Sequence, residues 1–167
     1  MKTSHTLKPD FSWGCSNIDK LISKYNLSDY ILLFPFCSEH LQQKKWPYYD
    51  QLIKLIKQNH PNLKIVIAPG PDEIEKAKKL DAVSILKEDK AISISELAGL
   101  IKRSKFVVAN DTGPAHMAAH LNVKGLSLFG SHTTAYKVSI ERENFKAIQV
   151  SDLKNLSAQK VFERLAL

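Results

Sequence analysis

Short runs of hydrophobic residues alternate along this chain with segments in which hydrophobic residues recur at helical spacing. Continuous hydrophobic runs are typical of strands that are buried on both faces of a sheet. They predict strands at 30–34, 63–68, 82–86, 105–109, 125–129 and 146–150. The intervening segments predict helices at 46–59, 73–80, 95–101, 114–121 and from residue 157 onward. This alternation predicts an α/β fold, a parallel sheet with helices on both faces.

Residues 1–29 lack this regularity, and we interpret them as a lead-in or linker segment that ends in a short helix. A single domain then occupies 30–167. Lys2 is not followed by a hydrophobic stretch, so we expect no signal peptide. No hydrophobic run reaches the roughly 20 residues of a membrane-spanning helix.

Composition adds a preference for anionic partners. The chain of 167 residues has 24 Lys and Arg against 17 Asp and Glu, a formal net charge of +7. Nucleotide phosphates, an anionic membrane surface and nucleic acid all fit this charge. The lysines form no basic block, so an ordinary solvated surface explains the charge equally well. Cys15 and Cys37 are too few for a disulfide framework, and we expect reduced thiols.

The strand at 105–109 leads into Asn-Asp-Thr-Gly-Pro-Ala-His at 110–116. Pro114 begins the next helix, which Asp111 or Thr112 can cap. Helix N-termini attract anions, and ligands of parallel sheets bind at the carboxyl ends of strands. The turn therefore predicts an anion site, although a capped turn without a ligand would have the same sequence.

Two further residues favour the anion site. Gly113 lets a ligand approach the backbone, and His116, one turn into the helix, can reach a phosphate oxygen. His116 and His120 also have the spacing of a metal-binding pair on one helix face. No acidic third ligand is nearby, so we favour a site without a metal.

The loop after the strand at 30–34 carries Ser38, Lys44 and Lys45. A lysine there can bind a diphosphate as a point charge, and a solvated loop is the alternative. The loop begins at the same edge of the predicted sheet as residues 110–116, because the carboxyl ends of parallel strands share one edge.

The turn after the strand at 63–68 carries Asp72 and Glu73. An acid at this position accepts hydrogen bonds from ribose hydroxyls, whereas Asp72 as a helix cap is the alternative. Neither Gly-x-Gly-x-x-Gly nor the P-loop motif occurs in the chain. The sequence thus predicts a phosphate site of a different construction.

Residues 110–119, Asn-Asp-Thr-Gly-Pro-Ala-His-Met-Ala-Ala, closely resemble the hallmark motif of glycosyltransferase family 9, the ADP-heptose:lipopolysaccharide heptosyltransferases. Further similar stretches occur in the family's order at 33–47, 70–73, 93–98 and 128–130. The resemblance implies a Rossmann-like domain equivalent to the C-terminal, donor-binding domain of a GT-B glycosyltransferase. Residues 30–167 would form this nucleotide-sugar-binding domain.

The resemblance also implies roles for individual residues. Thr112, Gly113 and His116 would hold the diphosphate, Asp111 the sugar hydroxyls, and Asp72 or Glu73 the ribose. Lys44 or Lys45 would stabilise the leaving diphosphate, with Ser38 assisting. The implied donor-binding residues are Ser38, Asp72, Glu73, Asp111, Thr112, Gly113, Pro114 and His116.

The family transfers sugars with inversion and without a metal or other cofactor. The resemblance also implies an ADP-heptose donor and a role in lipopolysaccharide core synthesis. Its acceptor site and catalytic base lie in the N-terminal half. We therefore expect this chain to be inactive alone. Three interpretations stay open: a fragment of a longer protein, a split-gene product that needs a separate N-terminal acceptor-binding chain, or a degenerate remnant. We expect a cytoplasmic location, free or peripheral on the inner membrane, and no nucleic-acid partner.

Two alternatives remain open, a non-catalytic nucleotide-binding module or remnant and another nucleotide-sugar enzyme of GT-B type. The chain also departs from the family pattern at two turns. Phe36 replaces a glycine, and Ser-His-Thr at 131–133 replaces Pro-Thr-Ser. Contacts at both turns are therefore open at the level of sequence.

Overall fold

The structure, a computed structural model, describes residues 10–167. The first nine residues of the predicted lead-in, with the stretch expected to hold no signal peptide, lie outside the described residues. The strands are β1 (Tyr30–Phe34), β2 (Lys64–Ile67), β3 (Val83–Ser84), β4 (Phe106–Asn110), β5 (Gly125–Phe129) and β6 (Phe145–Gln149). The helices are α1 (Asp19–Tyr25), α2 (Tyr49–Asn59), α3 (Ile74–Ala77), α4 (Ile94–Arg103), α5 (Gly113–His120) and α6 (Ala158–Phe162).

The six strands form one parallel sheet in the order β3-β2-β1-β4-β5-β6. β1 lies between β2 and β4, with Leu33 opposite Val108 and Phe34 opposite Ala109. The chain leaves β1 towards one edge of the sheet and returns at β4 towards the other. A crevice therefore opens between the carboxyl ends of β1 and β4, the usual ligand position in such sheets.

Hydrophobic side chains cover both faces of the sheet, as the strand pattern predicts. Ile31 and Leu33 of β1 pack on one face with α2 and α6, whereas Leu32 packs on the other with α4 and α5. Ala115 and Ala118 are fully buried, and these small side chains let α5 lie close to the strands. The predicted α/β fold with helices on both faces is confirmed.

Four predicted elements are shorter than expected, of which β2 lacks one residue at each end. α2 begins at Tyr49 rather than at residue 46, so Pro47 lies outside the first helical turn. The helix predicted at 73–80 comprises only Ile74–Ala77, after a 3-10 turn at Pro71–Glu73 that follows Gly70. Asp72 is therefore not the helix cap. The strand predicted at 82–86 has two residues, since pairing with β2 ends there.

The residues before β1 pack on the domain. Ile18 and Leu21 are buried against the α4 side of the sheet, and Asp19 pairs with Arg103 at 2.6 Å. A Cβ on Gly99 of α4 would lie 2.6 Å from the carbonyl oxygen of Ser16, so the segment contacts the helix backbone closely. The division at residue 29 stays a prediction. No helix within residues 10–167 is long and apolar enough to cross a bilayer.

Candidate nucleotide site at the carboxyl edge of the sheet

A cavity of about 550 Å³ lies at the carboxyl ends of β1, β2 and β4. Its walls come from the loops that follow these strands and from the N-termini of α4 and α5. The predicted site residues Ser38, Glu73, Thr112, Gly113 and Pro114 line it. Loops that are distant in sequence therefore meet at one place because the parallel strands end at a common edge.

Asp111, just after β4, is the electrostatic centre of this edge. Only 3% of its side chain is exposed, and its carboxylate accepts a hydrogen bond from Lys44 Nζ at 2.8 Å. The Nε2 atoms of His116 and His132 lie at 3.3 and 3.1 Å. Burial acts to raise the pKa of Asp111, but the contacts with His116, Lys44 and His132 outweigh it and hold the pKa well below its usual range. The carboxylate is thus ionised and surrounded by donors.

The neighbouring Asn110 determines which lysine reaches this carboxylate. The Asn110 side chain is fully buried, and its Oδ1 accepts a hydrogen bond from the backbone amide of Trp46 at 3.1 Å. This bond anchors the loop before α2 to the end of β4, and in this loop Lys44 contacts Asp111. Lys45 lines a different surface hollow beside α2. The geometry therefore separates two lysines that the sequence left equivalent.

The N-terminus of α5 faces the cavity with unpaired donors. Thr112 is the N-cap, but its side chain makes no capping bond and instead donates to the carbonyl of Asn110 at 3.3 Å. Within residues 10–167 the amides of Thr112 and Gly113 donate to no acceptor. A Cβ on Gly113 would meet no atom within 4 Å, so the space above it is open. This terminus can bind an anion with its amides and its dipole.

The acids after β2 differ in placement. Asp72 is exposed and does not line the cavity, whereas Glu73 does. Glu73 Oε2 accepts a hydrogen bond from the Gly70 amide at 2.9 Å, which fixes the side chain at the cavity wall. Ile67, Ala68 and other hydrophobic residues form the adjoining wall. The structure thus favours Glu73 over Asp72 as the acid that a ligand can contact.

His120 and His116 contact different partners. His120 stacks on Phe11 with ring centroids 5.8 Å apart, at the far end of α5, whereas His116 lies against Asp111. Sequence reasoning did not assign a role to His132. Its position could have indicated a place near the site, because it follows β5 closely and β5 is the neighbour of β4 in the sheet.

A parallel sheet with strand order 3-2-1-4-5-6 and a helix terminus at its crevice defines the Rossmann-like class of α/β folds. The model of the family described as glycosyltransferase family 9 (heptosyltransferase) matches residues 3–165. The chain belongs to this family.

Individual relatives agree with this assignment. Lipopolysaccharide heptosyltransferase 1 of Campylobacter coli is 29% identical over 114 residues, 63% of this chain and 33% of that protein. The structure of E. coli heptosyltransferase WaaC with ADP has a TM-score of 0.74 at 22% identity, covering 98% of this chain and 50% of WaaC. WaaC with ADP-2-deoxy-2-fluoro heptose has a TM-score of 0.70 at 22% identity, covering 92% and 47%.

The chain thus spans one third of the curated relative and about half of the solved structures that it matches. Its fold corresponds to the C-terminal half of a GT-B heptosyltransferase. The likeness to WaaC concerns the fold. What the site binds has to be argued from its own residues.

Proposed function

We propose that this chain is the donor-binding half of an inverting glycosyltransferase and that its donor is ADP-heptose. One observation carries the proposal. The amides of Thr112 and Gly113, which have no acceptor among residues 10–167, lie beside an ion pair between Lys44 and Asp111 at the crevice of the sheet. This arrangement offers donors to a diphosphate and a carboxylate to the sugar next to it.

The diphosphate would lie at the N-terminus of α5. Lys44 is 24% exposed and its flexible side chain can turn from Asp111 to a phosphate oxygen, as can His116. The lysine and the helix terminus then stabilise the negative charge that develops on the leaving diphosphate. Because these groups supply the positive charge, we propose that donor binding needs no metal or other cofactor.

The rest of the donor would extend to either side of the diphosphate. The adenosine fits the cavity of about 550 Å³, whose hydrophobic wall suits a base and whose Glu73 suits ribose hydroxyls. Released from Lys44, Asp111 would accept hydrogen bonds from sugar hydroxyls. Ser38, which is exposed at the cavity rim, would contact a phosphate oxygen.

Catalysis would require the other half of the GT-B architecture. We propose that an N-terminal acceptor-binding half supplies the catalytic base. The reaction would belong to lipopolysaccharide core synthesis, in the cytoplasm or at the cytoplasmic face of the inner membrane. The name of the Campylobacter coli relative supports this context.

Calorimetry of the chain with ADP, ADP-heptose, UDP-glucose and UDP-N-acetylglucosamine tests the proposal. We expect ADP and ADP-heptose to bind, to bind equally well in EDTA, and to remain unconverted when no acceptor half is added. Stronger binding of a UDP-sugar would favour another nucleotide-sugar enzyme of GT-B type. Binding of none of the four would contradict the proposal.

A further inference from the structure

His132 is the Asp111 partner that the family motif does not account for. It lies in the loop after β5, and its Nε2 is 3.1 Å from Oδ2 of Asp111. Its side chain is only 7% exposed. The imidazole stacks on Phe129 with an interplanar angle of 12° and a centroid distance of 6.0 Å.

The loop that carries His132 is itself held in place. The side-chain amide of Gln149 donates to the carbonyls of Gly130 at 2.6 Å and Thr133 at 3.2 Å. Its carbonyl oxygen accepts from the amide of Ala135 at 3.2 Å. These bonds bracket residue 132 on both sides. The imidazole is therefore positioned by the fold as well as by its contact with Asp111.

The three side chains around Asp111 differ in their freedom to move. Lys44 and His116 are 24% and 35% exposed and border the space where a diphosphate would bind. His132 is 7% exposed and stacked, so it cannot follow them to a ligand. When a diphosphate draws Lys44 and His116 away, His132 remains as the donor that orients Asp111.

The surroundings of Nδ1, the second imidazole nitrogen of His132, indicate which nitrogen carries the proton. Nδ1 of His132 is buried and has no hydrogen-bond partner in the part of the chain that the structure describes. A proton on Nδ1 would be a buried donor without an acceptor, which is costly. The arrangement therefore favours the tautomer protonated on Nε2, which donates to Asp111.

We propose that His132 is a positioning residue that fixes the Asp111 carboxylate for the sugar of the donor. The inference rests on the proposed donor-binding function and adds a residue to it. It implies that His132 affects the gain in affinity from ADP to ADP-heptose and leaves the affinity for ADP unchanged. A side chain needed only for folding would change both affinities together.

Two substitutions separate the imidazole nitrogens. His132→Gln places an amide donor near the position of Nε2, whereas the shorter His132→Asn reaches only the position of Nδ1. We expect calorimetry to give unchanged ADP affinity for both. His132→Asn should lose about tenfold in the ratio of ADP-heptose to ADP affinity, the size of one hydrogen bond to a charged group, and His132→Gln should retain the ratio.

Nitrogen-15 NMR of the free chain gives a readout that needs no ligand. The His132 imidazole should show a proton on Nε2, and Asp111→Asn should shift that resonance. A ratio unchanged in His132→Asn, or parallel losses for ADP and ADP-heptose in both variants, would overturn the inference while leaving the donor site intact. A wild-type chain that binds neither compound would instead overturn the proposed function and this inference with it.

Discussion

The N-termini of α4 and α5 border the same cavity but satisfy their amides differently. At α4 the Ser93 hydroxyl accepts a hydrogen bond from the Glu96 amide at 3.2 Å, and the Glu96 carboxylate accepts one from the Ser93 amide at 2.9 Å. At α5 Thr112 makes no capping bond, and the amides of Thr112 and Gly113 are unpaired in residues 10–167. One terminus is closed by its own side chains, and the other is open.

The difference separates stability from binding. A reciprocal capping box stabilises a helix by about 1 kcal/mol, so the α4 terminus contributes to the fold. The α5 terminus lacks this stabilising capping box, and its amides remain available to an anion. Substitutions at α4 should therefore lower the free energy of unfolding, and substitutions at α5 should lower ligand affinity.

The largest effect is expected from the lysine beside the open terminus. Lys44→Ala should weaken ADP binding by about 100-fold, because a charge-assisted hydrogen bond to phosphate is lost. Lys45→Ala removes the same charge from the adjacent residue. It should leave the ADP affinity within about twofold of wild type, since Lys45 lines a different cavity. Calorimetry with ADP measures both. Equal losses would mean that net charge rather than geometry matters.

The glycines of the two helices form a second matched pair. Gly113→Ala fills open space and should weaken ADP binding about tenfold at unchanged thermal stability. Gly99→Ala places a Cβ 2.6 Å from the Ser16 carbonyl oxygen and should cost about 1–2 kcal/mol of stability. Denaturation and calorimetry on both variants give the comparison. A destabilised Gly113→Ala with normal affinity would contradict it.

Capping residues provide a smaller contrast. Ser93→Ala removes a capping hydroxyl and should lower the free energy of unfolding by about 1 kcal/mol. Thr112→Ala removes a hydroxyl that does not cap, and the loss should stay below about 0.5 kcal/mol. Urea denaturation distinguishes the two values. Equal losses would show that Thr112 stabilises α5 in solution.

The smallest effect concerns the acid of the closed terminus. Hydrogen bonds from Lys87 and the Ser93 amide hold the pKa of Glu96 at about 2, against about 4.3 in an unfolded chain. Because the folded pKa is lower, the carboxylate stabilises the fold above about pH 4.5, and this contribution is lost progressively as the pH falls through about 2. At pH 7 the free energy of unfolding of the wild type should exceed that of Glu96→Gln by less than about 1 kcal/mol.

Urea denaturation of both proteins between pH 7 and pH 2 follows this difference. It should shrink steadily as the pH approaches 2, where about half of the folded molecules carry an uncharged Glu96. A difference that stays constant from pH 7 to pH 2 would show that the amide fails to replace the carboxylate in the capping box. ADP affinity at pH 7 should be equal in the two proteins, since Glu96 belongs to the closed terminus.

Local sequence patterns predicted the α5 terminus itself, but they did not identify which side chains from other loops lie beside it. The turn at 110–116 is one continuous segment, so its strand, its proline and its helix could be read together. The choice between Lys44 and Lys45 depended on a hydrogen bond between Asn110 and the Trp46 amide, 64 positions apart. The choice between Asp72 and Glu73 depended on which acid bonds back to Gly70. Neither hydrogen bond can be predicted from the periodicity of hydrophobic residues.

The sequence by itself determined the α/β class, the burial of the strands on both faces and the position of the turn proposed to bind an anion, because each depends on neighbouring residues. Only the tertiary structure decided the strand order, which makes β1, β4 and β5 neighbours and so brings the loops after them together. It thereby placed Lys44, His116 and His132 around a single buried carboxylate. Contacts between residues far apart in sequence arise from sheet topology, which local patterns do not encode.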